Sequence, residues 1–506
     1  MFEVRYSDLA ARIGRLETPH GVVETPAFVP VVHPVRQTVS TQFLKKMGFQ
    51  IVITNAYITL RHYGDEARKR GIHDIIGYDG AVMTDSGGYQ VLEYGSVEVE
   101  PATMAQFEKD IRSDIPIPLD KPTGYGLDYE RAKQYVAITL KNSKETLDVV
   151  GDTDAIWVAP VQGAEHTDLV EYSARELDRM GFKLMALGSP VELMEAYEFA
   201  TLARMIVAAK KVIPSKPVHL FGAGHPLTIP LAVALGCDMF DSASYMLYAK
   251  DGRYMTPNGT VRLEELAYLP CQCPVCSSCS LQELRGMQGD ERTVEVAKHN
   301  LHVLKAEVDL VKQAIMDGRL WEYVMQKARA HPKLMEAVQL FKDIEMLEAG
   351  TPLFKQKAIF FYEPIDQYRP EAKRFRRAVD AFKSSKRKLV LCPEGELHPF
   401  YATRIYREVV KRFPDAQVCS YSPFLGIIPA EISDVFPASH NLAPRSGQRV
   451  GDYPTFTESL AKFASRFEEV VIVANDFMRE AAAASAVAGA GATGLNARLV
   501  NDISEL

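Results

Sequence analysis

Thr84-Asp85-Ser86-Gly87-Gly88-Tyr89-Gln90 sets an acid, a hydroxyl, two glycines and an aromatic ring directly after the apolar run Ala81-Val82-Met83. Glycines let a backbone turn sharply and approach a ligand closely. An acid at the end of a buried strand is where parallel α/β folds carry their chemistry. A plain strand-to-helix turn capped by Asp85 or Ser86 would use the same residues. A second acid follows another apolar stretch, in Asp238-Met239-Phe240-Asp241-Ser242. Two carboxylates on one face, Asp85 and Asp241, suit cleavage at an anomeric carbon, where one attacks and the other handles protons. Residue type alone does not choose Asp241 over Asp238.

Further polar groups would complement a flat heterocycle. Asp120 can accept from ring N–H and amino groups, while the Gln162 amide can donate to a carbonyl, with main-chain N–H groups near Gly188-Ser189 beside them. Tyr89 and Phe221 could clasp such a base between two rings, although core packing would use the same aromatics.

These residues need elements to position them. Short apolar strands are expected near Thr25–Val31, Ile51–Thr54, Ala81–Thr84, Ile115–Leu119, Ala155–Pro160, Lys183–Leu187, Val218–Phe221 and Cys237–Phe240, with amphipathic segments such as Thr41–Met47 and Asp128–Val149 between them. Eight strand–helix units in about 250 residues is the size of a (β/α)8 TIM barrel. An open doubly wound sheet is the rival, but no Gly-x-Gly-x-x-Gly follows the first strand. In a barrel Asp85, Asp120, Gln162, Gly188, Phe221 and Asp241 all emerge at one face.

Cys271, Cys273 and Cys276, with Cys279 as a spare, precede a helix-like stretch, Thr293–Val311, that carries His299 and His302. Three thiolates and one imidazole make a closed tetrahedral zinc site that stabilises the fold and leaves no position for catalysis. Seven cysteines in 506 residues form no disulfide framework and suit a reducing cytoplasm. The N-terminus lacks a secretory signal, and no apolar run of about 18 residues suggests a membrane span. With 47% hydrophobic residues the chain can build large cores, and a net charge of −7 means that any polyanion site is local.

One such site is suggested between Arg369 and Lys388, where nine Lys and Arg stand against Glu371 and Asp380, interleaved with Phe375 and Phe382. Arg374, Arg376 and Arg377 lie at its centre. A solvated helix face would look the same, but a phosphate backbone needs such a patch. The expected organisation is a barrel over residues 1–345 with the zinc insertion at about 265–305, a basic α+β domain over 346–425, and a second α/β region over 426–506.

Together Asp85-Ser86-Gly87-Gly88-Tyr89-Gln90, Val161-Gln162-Gly163, His219-Leu220-Phe221-Gly222-Ala223-Gly224, Asp238-Met239-Phe240-Asp241-Ser242-Ala243 and Cys-x-Cys-x-x-Cys with His299 resemble the tRNA-guanine transglycosylases. Arg112-Ser113-Asp114-Ile115, Ala186-Leu187-Gly188-Ser189 and Ser242-Ala243-Ser244-Tyr245 are similar to the archaeal type, which makes the archaeosine precursor. The resemblance is close over about residues 1–345 and looser beyond. It implies exchange of guanine at position 15 in the tRNA D-loop for free preQ0 (7-cyano-7-deazaguanine), without ATP. By the same resemblance Asp241 is the nucleophile on the ribose C1′ and Asp85 the general acid/base. Asp120, Gln162, Gly188 and Ser189 hold the base edge, Tyr89 and Phe221 stack on it, and Cys271, Cys273, Cys276 and His299 bind zinc. A homodimer formed through the zinc region is also implied. No C-terminal stretch matches the PUA domain of longer archaeal relatives, so a weaker tRNA grip or a separate PUA-bearing protein is expected. The second glycine of Asp-Ser-Gly-Gly is associated more with bacterial members and says little about substrate.

Three other readings compete. A non-catalytic tRNA-binding subunit would have lost the nucleophile. The related enzyme that converts the preQ0 nitrile in tRNA to an amidine should lack this acid pair. A zinc barrel hydrolase would need metal ligands at the strand ends, away from these cysteines.

Overall fold

In the computed structural model of the chain, residues 1–87, 99–395, 397–444, 446–487, 497–502 and 505 are described. Residues 1–340 and 344–350 form one compact unit, and residues 341–343 and 351–506 form another.

The first unit is a (β/α)8 barrel. It opens with three antiparallel strands, β1 (Phe2–Asp8), β2 (Ala11–Thr18) and β3 (Gly21–Thr25), which the expected element order omits. Eight parallel strands follow: β4 (Ala27–Pro30), β5 (Ile51–Asn55), β6 (Ala81–Asp85), β7 (Ile115–Pro116), β8 (Val158–Val161), β9 (Leu184–Leu187), β10 (Val218–Leu220) and β11 (Met239–Ser242). Each falls at an expected place. β5 to β7 pair in sequence, as do β8 to β11, and β11 pairs with β4. Two single contacts close the ring. Val31 bridges Ile53, with the Val32 N–H donating to the Ile53 carbonyl at 2.7 Å, and the Ile156 N–H donates to the Asp114 carbonyl at 2.8 Å.

Strand side chains alternate between faces, and that alternation fills the ring. Ala27 and Val29, Ile51 and Ile53, Ala81 and Met83, Leu184 and Ala186 all belong to one buried interior cluster, which Leu16 and Val23 of the first sheet also join. The first sheet therefore covers the barrel interior with apolar side chains. Continuing the alternation past the apolar layer points Asp85, Gly188 and Asp241 inward at the C-terminal ends of their strands.

The connecting helices follow local rules. Ser40 caps Thr41–Lys46 by accepting from the Phe43 N–H at 3.2 Å, and Asp128 caps the helix Tyr129–Val150 by accepting from Arg131 at 3.1 Å. After β11 come the helix Ser244–Lys250, the hairpin β12 (Arg253–Thr256) and β13 (Gly259–Arg262), and the long helix Gly289–Met316.

The second unit holds a small parallel pair, β14 (Ile359–Phe360) with β18 (Asn441–Leu442), and a five-stranded sheet. That sheet contains β15 (Lys388–Pro393), β16 (Ala416–Ser422), β17 (Gly426–Pro429), β19 (Glu469–Val473) and β20 (Ala497–Val500), in the order β17-β16-β15-β19-β20. The expected division at 425/426 is corrected here. It would cut between β16 and β17, which pair antiparallel, and β15 pairs with strands from both sides of it.

Among described residues no helix is long and apolar enough to cross a membrane. At the N-terminal end of β11, Asp238 is 1% exposed and takes a two-point ion pair from Arg12, Nε to Oδ1 at 2.8 Å and Nη2 to Oδ2 at 2.9 Å, together with the Val218 N–H at 2.8 Å. Removing one partner of a buried pair leaves the other charge uncompensated. Asp238→Ala should therefore lower unfolding stability by about 3 kcal/mol, read from the midpoint shift in urea. A loss within the scatter of surface substitutions would show that Arg12 is satisfied without it.

Candidate active site

The inward ends of β5 to β11 meet at one mouth. Asp85 closes β6. Asn55, at the end of β5, caps the helix Ala56–Tyr63 by accepting from the Ile58 N–H at 2.8 Å, which fixes its amide. The Nδ2 of Asn55 then donates to Asp85 Oδ2 at 3.1 Å, and the Gly87 N–H donates to Oδ1 at 3.1 Å. Burial pushes the Asp85 carboxyl up to about 6. The Gly87 N–H and the Asn55 amide pull it down, while the neighbouring Asp241 charge pushes it further up. An acid poised in this range can both give and take a proton near neutral pH. Tyr89 lies outside the described residues.

Asp120 sits in the run after β7. The helix Tyr129–Val150 pins this run: Asn142 Nδ2 donates to the Leu119 carbonyl at 2.9 Å, and the Lys121 N–H donates to Thr139 Oγ1 at 3.0 Å. Gln162 follows β8 and is 1% exposed. Its Nε2 donates to Asp120 Oδ2 at 2.6 Å, while its Oε1 accepts from the Thr123 N–H at 3.1 Å, Thr123 Oγ1 at 2.9 Å and Ser189 Oγ at 3.2 Å. Three donors on one side fix the amide orientation, so the NH2 end must face Asp120. Burial and then the Asp85 charge raise the Asp120 carboxyl to about 7, against the pull of Gln162.

Gly188 enters this arrangement by what it lacks. A Cβ there would lie 2.0 Å from Gln162 Nε2, and its N–H already donates to the Val161 carbonyl at 2.9 Å. The expected main-chain donor at Gly188 is thus engaged in the barrel, and the residue makes room for Gln162. Ser189 has a left-handed backbone, φ 60°, and reaches Gln162 through its hydroxyl.

Asp241, in β11, is 9% exposed. His219 Nε2 contacts its Oδ1 at 2.7 Å, and the Gly222 N–H donates to the same oxygen at 3.1 Å. Gly222 has φ 70°, and a Cβ there would meet Val191 Cγ2 at 2.3 Å, so this turn requires glycine. Phe221 is partly buried against the barrel interior, with its ring centroid 5.0 Å from that of His219. Asp238 is at the opposite end of β11 beneath Arg12, so the geometry separates the two acids that residue type could not. Behind Asp85, Glu108 is wholly buried and held well above its ordinary range by burial, with Thr84 Oγ1 at 2.7 Å from its Oε1.

Asn55, Glu108 and Thr123 carry no motif signal in the sequence, and His219 and Gly222 carry no individual role there. His219 and Gly222 were within its quoted motifs. Alternation with Phe221 would have turned His219 inward.

Cys271, Cys273, Cys276 and His299 bring four ligand atoms within 4.8 Å of one another. His299 Nδ1 lies 3.4 Å from the sulfurs of Cys273 and Cys276, while its Nε2 is tied to the Met255 carbonyl at 2.8 Å. That bond leaves the Nδ1 lone pair for a metal. The Tyr254 ring stacks on the imidazole at 3.6 Å, and its hydroxyl is 3.1 Å from Cys276 Sγ. This donor set fits tetrahedral zinc. Cys279 turns away to the Val275 carbonyl, and His302 meets the Phe43 ring edge-on. A second group, His20, His73 and Asp114, joins the first sheet to the N-terminal end of the barrel, with the imidazoles 2.7 and 2.9 Å from the two carboxylate oxygens.

In the second unit, the helix Pro370–Ala381 uses much of its positive charge internally. Arg369, at its N-cap, is 0% exposed and pairs with Glu371, which also takes Lys355. Arg374 donates to the carbonyls of Thr351 and Pro352, and Arg376 to those of Phe424 and Gln367. Arg377 and Lys383 are exposed.

The queuine tRNA-ribosyltransferase family profile matches residues 8–333. The tRNA-guanine(15) transglycosylase of Archaeoglobus fulgidus is 41% identical over 445 residues, covering 88% of each chain. Its namesake in Aeropyrum pernix is 43% identical over 458 residues, again 88% of each. The one in Thermococcus kodakarensis is 43% identical over 420 residues, 82% of this chain and 71% of that one. A profile match over more than half of the chain and relatives this similar over most of their length agree with the acid-lined barrel mouth and the Cys3His group: the chain belongs to the queuine tRNA-ribosyltransferase family of pentosyltransferases.

Proposed function

We propose that the chain exchanges guanine at position 15 of tRNA for free preQ0 by double displacement, as the first step towards archaeosine. The observation that carries this reading is the pair Asp85 and Asp241, inward at one barrel mouth and close enough for the charge of one to raise the other. The printed names of the relatives agree with position 15.

In the first half-reaction an Asp241 oxygen attacks the ribose C1′. The C1′–N9 bond breaks, its electron pair leaves with guanine, and Asp85 in its acid form gives the departing base a proton. In the second, N9–H of the incoming base returns a proton to the Asp85 carboxylate, N9 attacks C1′, and the ester bond breaks back onto Asp241. A carboxyl near 6 serves both directions. Asp120 would accept from the ring N–H and amino groups of the base, and the second hydrogen of Gln162 Nε2 would donate to its carbonyl. Tyr89 and Phe221 stack on the base faces. Extruding a buried nucleotide costs a few kcal/mol, which base stacking and backbone contacts offset. Cys271, Cys273, Cys276 and His299 would hold one structural zinc, which closes its own coordination shell and takes no part in these steps. The reaction belongs in the cytoplasm. Both acids are present, which favours this reading over a non-catalytic subunit or the amidine-forming enzyme.

Asp241→Ala should abolish incorporation of radiolabelled guanine into a tRNA transcript while tRNA still binds; retained exchange would remove Asp241 as nucleophile. For Asp85 the sign is set by a folded pKa above its ordinary 3.8. The group's contribution to stability is full below about pH 4 and is lost as pH rises through about 6. Asp85→Asn removes that loss. The variant should gain about 1–2 kcal/mol over the parent at about pH 7.5, with the gap closing near pH 4, and exchange should fall by about 100-fold or more. Identical melting curves at both pH values would contradict a buried, raised carboxyl. On the second unit, Arg377→Glu with Lys383→Glu should weaken tRNA binding and flatten its salt dependence. Binding unchanged at low salt would take this face out of the tRNA contact.

A further inference from the structure

His219 is a buried, titratable group that the double displacement leaves without a task. It is 0% exposed, and its Nε2 lies 2.7 Å from Asp241 Oδ1. A carboxylate brings no hydrogen, so the imidazole must donate, and Nε2 carries the proton. The other nitrogen, Nδ1, is buried and has no hydrogen-bond partner among the described residues. The hydrogen bond to Asp241 is thus the ring's one hydrogen bond among the described residues.

The consequence for Asp241 is asymmetry. Oδ1 takes two donors, His219 Nε2–H and the Gly222 N–H, whereas Oδ2 receives no hydrogen bond among the described residues. Both donors are rigidly placed. His219 lies within β10, in register with Met239 of β11, with the Phe221 ring beside it, and the Gly222 N–H is aimed by a turn that excludes any side chain.

We propose that His219 is the positioning residue of the nucleophile: with Gly222 it anchors Oδ1 and presents Oδ2 to the ribose carbon. This rests on Asp241 being the nucleophile. Two donors on one oxygen suit the task, because they fix the carboxylate and leave the other oxygen to attack. In the covalent intermediate Oδ2 is bonded to C1′ and Oδ1 is an ester carbonyl. As the second half-reaction breaks the C1′–Oδ2 bond, the electron pair returns to the carboxylate, and the His219 hydrogen bond strengthens as charge redevelops on Oδ1. Loss of the donor should therefore act on kcat through orientation and through the second step, and leave the affinity for tRNA alone.

The test compares His219→Phe, His219→Gln and His219→Asn in the full-length, zinc-loaded protein, with Asp241→Ala as the control for the underlying reading. The Gln side chain can bring an amide N–H to the place of Nε2, whereas Asn reaches only as far as Nδ1. His219→Phe should lose about 10- to 100-fold in kcat for guanine exchange, with KM for tRNA within about twofold, and should accumulate covalent protein–tRNA adduct in a single turnover. His219→Gln should recover to within about fivefold of the parent while His219→Asn does not. A His219→Phe protein with parental kcat, or Gln and Asn variants that behave alike, would overturn the assignment. Should His219→Phe fail to fold, the Gln and Asn pair decides alone. If Asp241→Ala still exchanges guanine, the nucleophile reading itself fails; if it is inactive while all His219 variants are parental, only the positioning role fails.

Discussion

Three carboxylates, Asp85, Asp120 and Asp241, are gathered at the end of one ring of strands, where the Asp241 charge opposes ionisation of Asp85 and the Asp85 charge that of Asp120. Burial first, and then these neighbouring charges, raise Asp85 to about 6 and Asp120 to about 7. What stabilises the acids is telling. Asp85 is held by Asn55 and the Gly87 N–H, Asp120 by Gln162, and Asp241 by His219 and the Gly222 N–H. These donors are amides, main-chain N–H groups and an imidazole. At the other end of the same barrel the acids are treated differently: Asp238 takes the Arg12 guanidinium, and Asp114 takes two imidazoles and the Val82 N–H. A cation at the mouth would hold the acids ionised and remove the proton-carrying range that acid/base work needs. The barrel thus sets an arginine-paired acid, Asp238, at one end, and at the other three acids held without arginine or lysine.

This separation explains what the sequence could and could not reveal. The eight barrel strands were legible because each is a short apolar run between polar turns, and the acids at their ends were visible for the same reason. Asp238 and Asp241 could not be told apart, since both flank the same apolar pair; which one reaches the mouth depends on where β11 begins. β1 to β3 escaped notice although Pro19-His20-Gly21 has the look of a hairpin turn, because half of their faces are polar. Asn55, Thr123 and His219 support the acids from neighbouring strands or loops, and sequence distance hides such contacts: Thr123 is 39 residues from Gln162, and His219 is 22 from Asp241.

Charge in a sequence is also not charge on a surface. The run from Arg369 to Lys388 is strongly basic on paper. Folded, Arg369 is buried against Glu371, Arg374 and Arg376 satisfy main-chain carbonyls, and Lys388 pairs with Glu469. Arginine suits this use because its planar fork can bond several carbonyls at once while its stem packs on apolar neighbours. The basic face left for a phosphate backbone is correspondingly smaller than the composition implied.

The Cys3His group lies away from the acids, but the chain ties it to them. β11 carries Asp241, and the next helix, Ser244–Lys250, leads directly into β12, whose Tyr254 stacks on His299 and whose Met255 carbonyl holds His299 Nε2. One residue along, Asn300 bonds the Met255 N–H through its carbonyl oxygen and donates to the carbonyls of Tyr245 and Arg253, while the Tyr245 hydroxyl reaches the Val31 carbonyl beyond β4. A metal that draws three thiolates and His299 together would fix the N-terminal half of the long helix Gly289–Met316, and through Asn300 the helix that follows β11. Structural metal binding is folding free energy for the segment it closes. Here that segment continues directly from β11, so a bound metal with no open coordination position would still brace the stretch that follows the strand carrying Asp241.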